Sequence, residues 1–339
     1  MVGPAPGPRN WTVDPERHEA RQIMPGVWCL RLPLAWPQVP HVNVWVLARE
    51  GGGVLLVDAA MAGTGAWEAL TSSLRRAGGG VRDVHALAIT HAHADHVGLA
   101  ARIARESGCE TWIHPDAEPF FAIVRDPGPT EAARAQRARL EGVPEPLLAA
   151  YASVVEEEAG TTGPLDDARA LVAGAVLPSA LGGWEVVETP GHTPSHVCLY
   201  QPEHRLLLAG DLLSRHFAPF FDYGWSADPV ADYLASLDAV AALDVDLVLP
   251  GHGAPLPELG ALIASHRAGV HDRLAAVHGG LGAGATTSYD LTLRIFGRPP
   301  DVIVGVWQLV EVLAYLAHLR RAGEVVRAED GGRYVYAPA

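Results

Sequence analysis

The sequence predicts an α/β fold, and two observations favour this class. Short runs of apolar and β-branched residues, such as residues 54–57, alternate with helix-length segments whose apolar residues recur every three to four positions. Apolar residues make up 49% of the chain and charged residues 19%, a balance typical of a protein with a large buried core. Because 339 residues exceed one average domain, we expect a large domain followed by a smaller one.

The N-terminal part predicts an arm and then an antiparallel sheet. Residues 1–20 are rich in proline and glycine and lack periodicity, so they predict an arm. From Gly26 onward, three β-type runs separated by turn-forming residues predict antiparallel strands. A helix is predicted from Ala66 to Ala77, and a strand follows at residues 84–90. A histidine cluster begins where this strand ends, a common place for an active site because the sheet fixes the loop.

Residues 115–174 predict a helical insertion. Their periodic parts, residues 130–140 and 145–160, predict two helices joined by a turn from Gly142 to Pro146. The insertion could be a lid, and Phe120 and Phe121 with the apolar helix faces could shape an acyl-binding groove or a homodimer contact. The sequence leaves these roles open.

Strands and helices then complete a main domain predicted over residues 21–255, with a second domain over residues 256–339. Strands are predicted at residues 184–190, 196–201, 205–211 and 246–250, and a helix is predicted to begin at Asp228 as N-cap, with Pro229 in its first turn. The C-terminal pattern of three helices and a hairpin is similar to a winged helix. Its third helix, Asp301 to His318, is mostly apolar and carries Glu311, so we expect it to pack rather than to read DNA.

Composition narrows the choice of partner and location. With 25 Lys and Arg against 39 Asp and Glu, the net charge of −14 disfavours nucleic acid. The three cysteines are too scattered for a disulfide framework, so a cytoplasmic location is expected, and Cys29 and Cys198 are expected to be small buried residues. The sequence shows no signal-peptide core and no run of eighteen uncharged apolar residues, so no membrane association is expected.

The segment after the strand at residues 84–90 carries metal-binding chemistry. His91, His93, Asp95 and His96 lie within six positions, separated only by alanine. Imidazole and carboxylate are ligands that zinc accepts, and small spacers let a loop wind closely around an ion. A solvated histidine-rich stretch is the alternative for such a motif in isolation.

The motif does not stand alone, which favours the metal site. His192, Asp211 and His252 follow in chain order, each in a glycine-containing turn beside an apolar run. The motif HxHxDH followed by GH, GD and GHG resembles the metallo-β-lactamase superfamily, in its glyoxalase II-like and lactonase-like branch, over residues 26–255. This resemblance implies a four-layer αββα sandwich.

The resemblance also implies a binuclear centre. The first metal is expected on His91, His93 and His192, the second on Asp95, His96 and His252, and Asp211 is expected to bridge them. Asp95 and Asp211 therefore count as catalytic residues as well as ligands. Two Zn²⁺ ions are expected, with Fe or Mn as alternatives.

The implied reaction is hydrolysis of a carboxylic ester-type bond by a hydroxide that bridges the metals. A thioester of a small molecule or an acyl carrier is favoured as substrate, and a lactone or simple ester comes next. A phosphodiesterase or nuclease would use the same metals but suits an acidic chain poorly. A β-lactamase is also less favoured. A flavodiiron-like oxidoreductase would replace a motif histidine with glutamate, and a non-catalytic binding module is disfavoured because all seven ligands remain.

Five residues beside the ligands receive expected roles. Asp58 is expected to orient ligands from behind, or else to cap the following helix. His196 is expected to make a structural contact. In the aromatic run after Asp211, we expect His216, Tyr223 and Trp225 to contact substrate, and two of the three phenylalanines of that run to seal the core.

Overall fold

A computed structural model describes residues 19–36, 39–63, 65–151, 163–217, 219–222, 224–282 and 284–339. Within these residues the first sheet contains seven strands that follow one another in chain order. They are β1 (Glu19–Met24), β2 (Val27–Trp36), β3 (Val39–Ala48), β4 (Val54–Val57), β5 (Val84–Ile89), β6 (Glu110–Ile113) and β7 (Arg169–Ala170). Strands β2 to β4 are antiparallel, as predicted, and β5 to β7 continue in parallel from β4. Strand β1 pairs antiparallel with β2 and was not predicted, and residues 1–18 of the predicted arm lie outside the described residues.

The second sheet has the order β13-β12-β11-β10-β9-β8. Its strands are β8 (Val176–Ser179), β9 (Gly182–Glu188), β10 (Val197–Gln201), β11 (Leu206–Gly210), β12 (Leu247–Pro250) and β13 (Leu256–Pro257). The pair β11 and β12 is parallel, and the remaining pairs are antiparallel. The last elements of the chain, β14 (Val325–Asp330) and β15 (Arg333–Pro338), form the predicted hairpin.

Helices cover the outer faces of the sheets. They are α1 (Ala66–Arg76), α2 (Ala94–Val97), α3 (Ala100–Ser107), α4 (Glu118–Arg125), α5 (Pro127–Leu140), α6 (residues 145–151), α7 (Pro229–Ala241), α8 (Leu259–Leu281), α9 (Ser288–Phe296) and α10 (Val302–Arg321). Helix α7 begins as predicted, because the Asp228 side chain accepts a hydrogen bond from the Ala231 amide and Pro229 occupies the first turn.

Three buried clusters show the layers. One cluster joins the facing sides of the two sheets, with Trp45 of the first sheet and Trp184 of the second fully buried. A second packs α1 and α3 against the first sheet, and a third packs α7 to α10 against the second sheet. The predicted α/β class and αββα layering are confirmed. Cys29 and Cys198 are buried, as expected.

The insertion differs in detail from its prediction. Its two predicted helices are present as α5 and the start of α6, but α4 precedes them and was not predicted. Pro119 lies in the first turn of α4, and Pro127 is the first residue of α5. Phe121 is buried in the core, so it serves neither predicted role, whereas Phe120 lines the central cavity. Residues 152–160 of the second predicted helix lie outside the described residues.

Helix α10 shares the core of the second sheet. It is long and apolar enough to cross a membrane by length and composition, yet 56% of its most apolar window is buried inside the molecule. Val312, Ala314, Leu316 and Leu319 belong to the same cluster as the second sheet. Its apolar character therefore corresponds to packing, as the sequence predicted. The predicted boundary between the two domains stays a prediction.

A buried carboxylate connects the insertion to the C-terminal part. Glu141, at the end of α5, is fully buried and accepts hydrogen bonds from the hydroxyls of Ser288 at 2.7 Å and Tyr336 at 3.0 Å. Its backbone carbonyl accepts a bond from the Tyr289 amide. Because a buried carboxylate without partners is costly, these bonds hold the insertion against α9 and β15.

A second buried carboxylate makes stability depend on pH. Glu311 of α10 accepts a hydrogen bond from Arg273 of α8 at 2.8 Å. Burial outweighs the attraction of Arg273 and raises the pKa of Glu311 from 4.5 to about 7. Between these values the folded chain binds more protons than the unfolded chain, so stability falls as pH rises through this window.

We expect Glu311→Gln to remove this pH dependence. Relative to the unchanged protein, the free energy of unfolding of the variant should rise by up to roughly 3 kcal/mol as pH increases from 4.5 to 7. Urea unfolding of metal-loaded protein at several pH values measures the difference, with the exposed Glu329→Gln as control. Parallel curves for Glu311→Gln and the unchanged protein would contradict the assignment.

Candidate metal centre

Loops from both sheets meet at one edge of the sandwich. The His91–His96 segment follows β5, Asp211 follows β11, His252 follows β12, and His192 precedes β10. Two backbone bonds join the sheets here, since the Val197 amide donates to the Thr90 carbonyl at 2.9 Å and the Asn43 amide to the Gly251 carbonyl at 2.7 Å.

All seven predicted ligands converge there. The potential ligand atoms of each of three groups lie within 4.8 Å of one another. The groups are His91, His93 and His192; Asp95, His96 and His252; and His91, His96 and Asp211. The first two are the predicted sets for two separate ions, and their spacing matches what such ions need.

Asp211 lies between the two sets. One of its carboxylate oxygens is 3.7 Å from His192 Nε2 and 3.3 Å from His252 Nε2, and the other is 3.4 Å from His96 Nε2. It therefore reaches a residue of each set at once. Gly251 makes this possible, because a Cβ atom there would lie 2.3 Å from Asp211 Oδ1.

Contacts on the far side of the rings fix their orientation. Nδ1 of His91 lies 3.0 Å from Thr90 Oγ1. Nδ1 of His192 lies 2.7 Å from the Phe220 carbonyl oxygen, and Nδ1 of His252 lies 2.8 Å from the His41 carbonyl oxygen. A carbonyl accepts only from a protonated Nδ1, so Nε2 of His192 and His252 is free to act as a metal ligand.

Asp58 fixes the orientation of the His96 ring. Its Oδ2 is 2.8 Å from His96 Nδ1, while Oδ1 accepts hydrogen bonds from the amide and hydroxyl of Thr90. Asp58 has φ of +66°, a left-handed conformation that aspartate tolerates and that commonly marks functional sites. The capping alternative was wrong, because Gly65 occupies the N-cap position of α1.

His196 makes the structural contact that was expected of it. Its Nδ1 is 2.8 Å from Thr189 Oγ1, and its Nε2 accepts a hydrogen bond from the Asp211 amide at 3.0 Å. This second bond requires a neutral ring with an unprotonated Nε2, and burial lowers the pKa of His196 well below its usual value. His196 therefore holds the backbone from which Asp211 projects.

The ionisable side chains of the centre have pKa values that suit the binding of cations. Burial disfavours charge on His252, but Asp211 and Asp95 outweigh it and raise the pKa of His252 to about 10. Burial and the nearby charge of His93 lower the pKa of His192 to about 4. For Asp211, burial is outweighed by His252 and His96, so its pKa lies well below the ordinary value. Buried carboxylates in this setting demand positive charge.

The donor set also fits metal ions. Among the residues that the structure describes, the buried atoms His93 Nε2, His96 Nε2 and Asp211 Oδ1 have no hydrogen-bond partner. Unpartnered buried polar atoms are rare, and here His96 and Asp211 belong to one candidate ligand group and His93 to another. Imidazole nitrogens and carboxylate oxygens suit zinc, iron and manganese.

Sequence reasoning missed three neighbours of the centre. Fully buried Asn43 donates to the carbonyls of Pro250 and Gly253, both at 2.9 Å, and so clamps the His252 loop. His41 accepts from the Gly253 amide at 3.1 Å, and Asp222 Oδ2 lies 3.4 Å from His93 Nε2. The sequence signal that could have indicated His41 and Asn43 was their position as a polar pair at the start of an apolar strand.

The aromatic run after Asp211 is divided as expected. His216 and Trp225 both line the cavity that contains the centre, while Tyr223 lies outside the described residues. Phe221 is buried in the core, and Phe217 packs against the same cluster. Phe220 instead faces the rings of His93 and His192, with centroids 5.2 and 6.0 Å away. Two of the three phenylalanines therefore seal the core.

Comparison with known proteins identifies the family. The model of the metallo-beta-lactamase superfamily matches residues 38–252, which contain all seven candidate ligands. The chain belongs to the metallo-beta-lactamase superfamily. Family membership makes it a metallo-hydrolase with a divalent metal centre, consistent with the groups of histidine and aspartate ligands described above.

Three proteins illustrate the likeness within this superfamily. The structure is similar to a metallo-beta-lactamase family protein, TTHA1429, from Thermus thermophilus, with 29% identity and a TM-score of 0.82, covering 94% of this chain and 100% of that one. Probable metallo-hydrolase YqjP of Bacillus subtilis is 26% identical over 65% of this chain and 70% of its own length. Hydroxyacylglutathione hydrolase GloC of Haemophilus influenzae is 26% identical over 49% of this chain and 68% of its own length.

Replacing Asp58 tests the orientation of His96. Asp58→Asn keeps an acceptor beside His96 but removes the charge that favours a protonated Nδ1 and an unprotonated Nε2. We expect affinity for one of two bound zinc ions to fall about 10- to 100-fold, measured by competition with a chromophoric chelator. The exposed Asp330→Asn should bind both ions normally. Unchanged affinity in a folded Asp58→Asn variant would show that this contact does not tune the site.

Proposed function

We propose that this chain is a binuclear zinc hydrolase that cleaves carboxylic thioesters. One observation carries the proposal: Asp211 contacts both ligand groups at the wall of a large cavity, where a substrate could reach them. His91, His93 and His192 would hold one ion, Asp95, His96 and His252 the other, and Asp211 both. Iron or manganese would suit the same donors.

The metals and the protein contribute different parts of the chemistry. When bound, the two cations would lower the pKa of water and polarise the carbonyl of the substrate. Asp58 and the carbonyls of Phe220 and His41 hold the ligand rings in one tautomer, so the site needs little rearrangement to receive ions. Phe220 shields one side of the centre from water beside the rings of His93 and His192.

The choice of a thioester is supported by the pocket and by a relative. GloC is named for hydrolysis of hydroxyacylglutathione, an acyl conjugate of a thiol. The cavity walls beside the centre are largely apolar, which suits an acyl group better than a phosphodiester backbone. A substrate oxygen could meet hydrogen-bond donors from His216 or Trp225, which line the same cavity.

A turnover panel tests the proposed reaction. Zinc-loaded protein is offered acyl thioesters, lactones and phosphodiesters, and we expect thioesters to give the highest kcat/KM. Asp211→Ala should lower that value at least about 100-fold, because it removes a contact to both ligand groups. The exposed Asp246→Ala serves as a matched control. Faster turnover of lactones or phosphodiesters would exclude the thioester assignment. If Asp211→Ala had the same kcat/KM as the unchanged protein, the proposed metal centre would not be the site of the reaction.

Removing metal should destabilise the protein. Without cations, Asp95 and Asp211 remain buried beside each other, and only protonated histidines offset their charge. We expect a chelator to lower the unfolding free energy by about 3–4 kcal/mol, as for loss of a ligand present at 100 to 1,000 times its dissociation constant. Thermal unfolding with and without chelator, followed by addition of zinc, measures the effect. An unchanged melting temperature would mean that the folded chain holds no metal.

A further inference from the structure

The cavity at the centre is larger than the chemistry beside it requires. Its volume is about 2180 Å³, and His93, Asp95, His192, Asp211 and His252 all line it. Pockets for small ligands usually measure roughly 300–1,000 Å³. Most of the cavity therefore lies beyond the candidate ligands, and its other walls decide which substrates it can hold.

Apolar side chains from two distant parts of the sequence form much of those other walls, together with charged side chains such as Arg134 and Arg298. Phe120 of α4 and Leu147 of α6 come from the insertion, and Ile303, Val306, Trp307 and Val310 come from α10. We call these six residues the acyl chamber. All except buried Ile303 are partly exposed, as expected for side chains that line an open cavity.

The two walls are held together by specific contacts. Tyr151 and Ala150 of the insertion pack against Val302 and Ile303 of α10. Trp307 meets Trp36 of β2 edge to face, with ring centroids 5.7 Å apart. The buried bonds of Glu141 to Ser288 of α9 and Tyr336 of β15 fix the insertion against elements on either side of α10 in the chain. The chamber is therefore preformed, and the C-terminal helix forms part of the substrate pocket.

We propose that the acyl chamber binds the apolar chain of a long-chain acyl thioester, and that α10 sets the chain length accepted. This inference rests on the proposed thioesterase function. An apolar chain in this chamber leaves water without having to displace a buried polar partner, whereas a short acyl group would leave the chamber filled with water. Each added methylene should raise kcat/KM by up to about fourfold until the chamber is full.

Filling the chamber tests the proposal. Zinc-loaded protein is assayed with acetyl, butyryl, octanoyl and palmitoyl thioesters of one thiol. We expect kcat/KM to rise with chain length in the unchanged protein, and Val306→Trp to lower it at least tenfold for palmitoyl while changing butyryl less than about threefold. Arg320→Trp, exposed on the same helix outside the cavity, should behave like the unchanged protein. Leu147→Trp repeats the test from the insertion wall, in case Val306→Trp does not fold.

A binding measurement separates the chamber from the proposed reaction. Calorimetric titration with palmitate and with butyrate reports occupation of the chamber without turnover. Suppose that no thioester is cleaved, that palmitate binds tightly, and that Val306→Trp weakens palmitate binding at least tenfold. The chamber is then supported as an acyl-binding site and the proposed function fails. If all thioesters are cleaved with equal kcat/KM, or if both tryptophan variants fold and still process palmitoyl normally, the chamber is overturned and the proposed function stands.

Discussion

The structure depends on one electrostatic constraint, the crowding of buried Asp95 and partly exposed Asp211 among five imidazoles. Each carboxylate lies within about 3.5 Å of histidine nitrogens, and the pKa of His252 rises to about 10 in response. Such a cluster is costly unless cations join it. The surrounding contacts of Asp58 and Asn43 hold the loops in the arrangement that brings the candidate ligands together.

The two sheets supply the rigidity that this arrangement needs. The ligand loops leave or enter β5, β10, β11 and β12 at the same edge, and backbone bonds between the loops cross from one sheet to the other. Behind them lies an apolar interface that includes Trp45 and Trp184. The ligands thus lie on loops whose ends are fixed by the two packed sheets.

Distant segments of the chain shape the rest of the cavity. The insertion and α10 are separated by more than a hundred residues, yet Ala150 and Tyr151 of the insertion pack against Val302 and Ile303 of α10, and both segments line one pocket. The C-terminal helices share the core of the second sheet, which fixes α10 relative to the metal centre. The candidate ligands and the apolar cavity walls therefore come from different parts of the chain, and in our proposal the first carry the chemistry and the second select the substrate.

The sequence by itself determined the fold class, most of the elements and all seven candidate ligands, because these follow from local patterns and from one motif series with fixed spacing. It also anticipated Asp58 and His196. Only the tertiary structure decided between orientation and capping for Asp58, revealed Asn43, His41 and Asp222 beside the ligands, and placed α10 in the wall of the cavity. These facts depend on contacts between residues far apart in the chain, which leave no periodicity or spacing in the sequence.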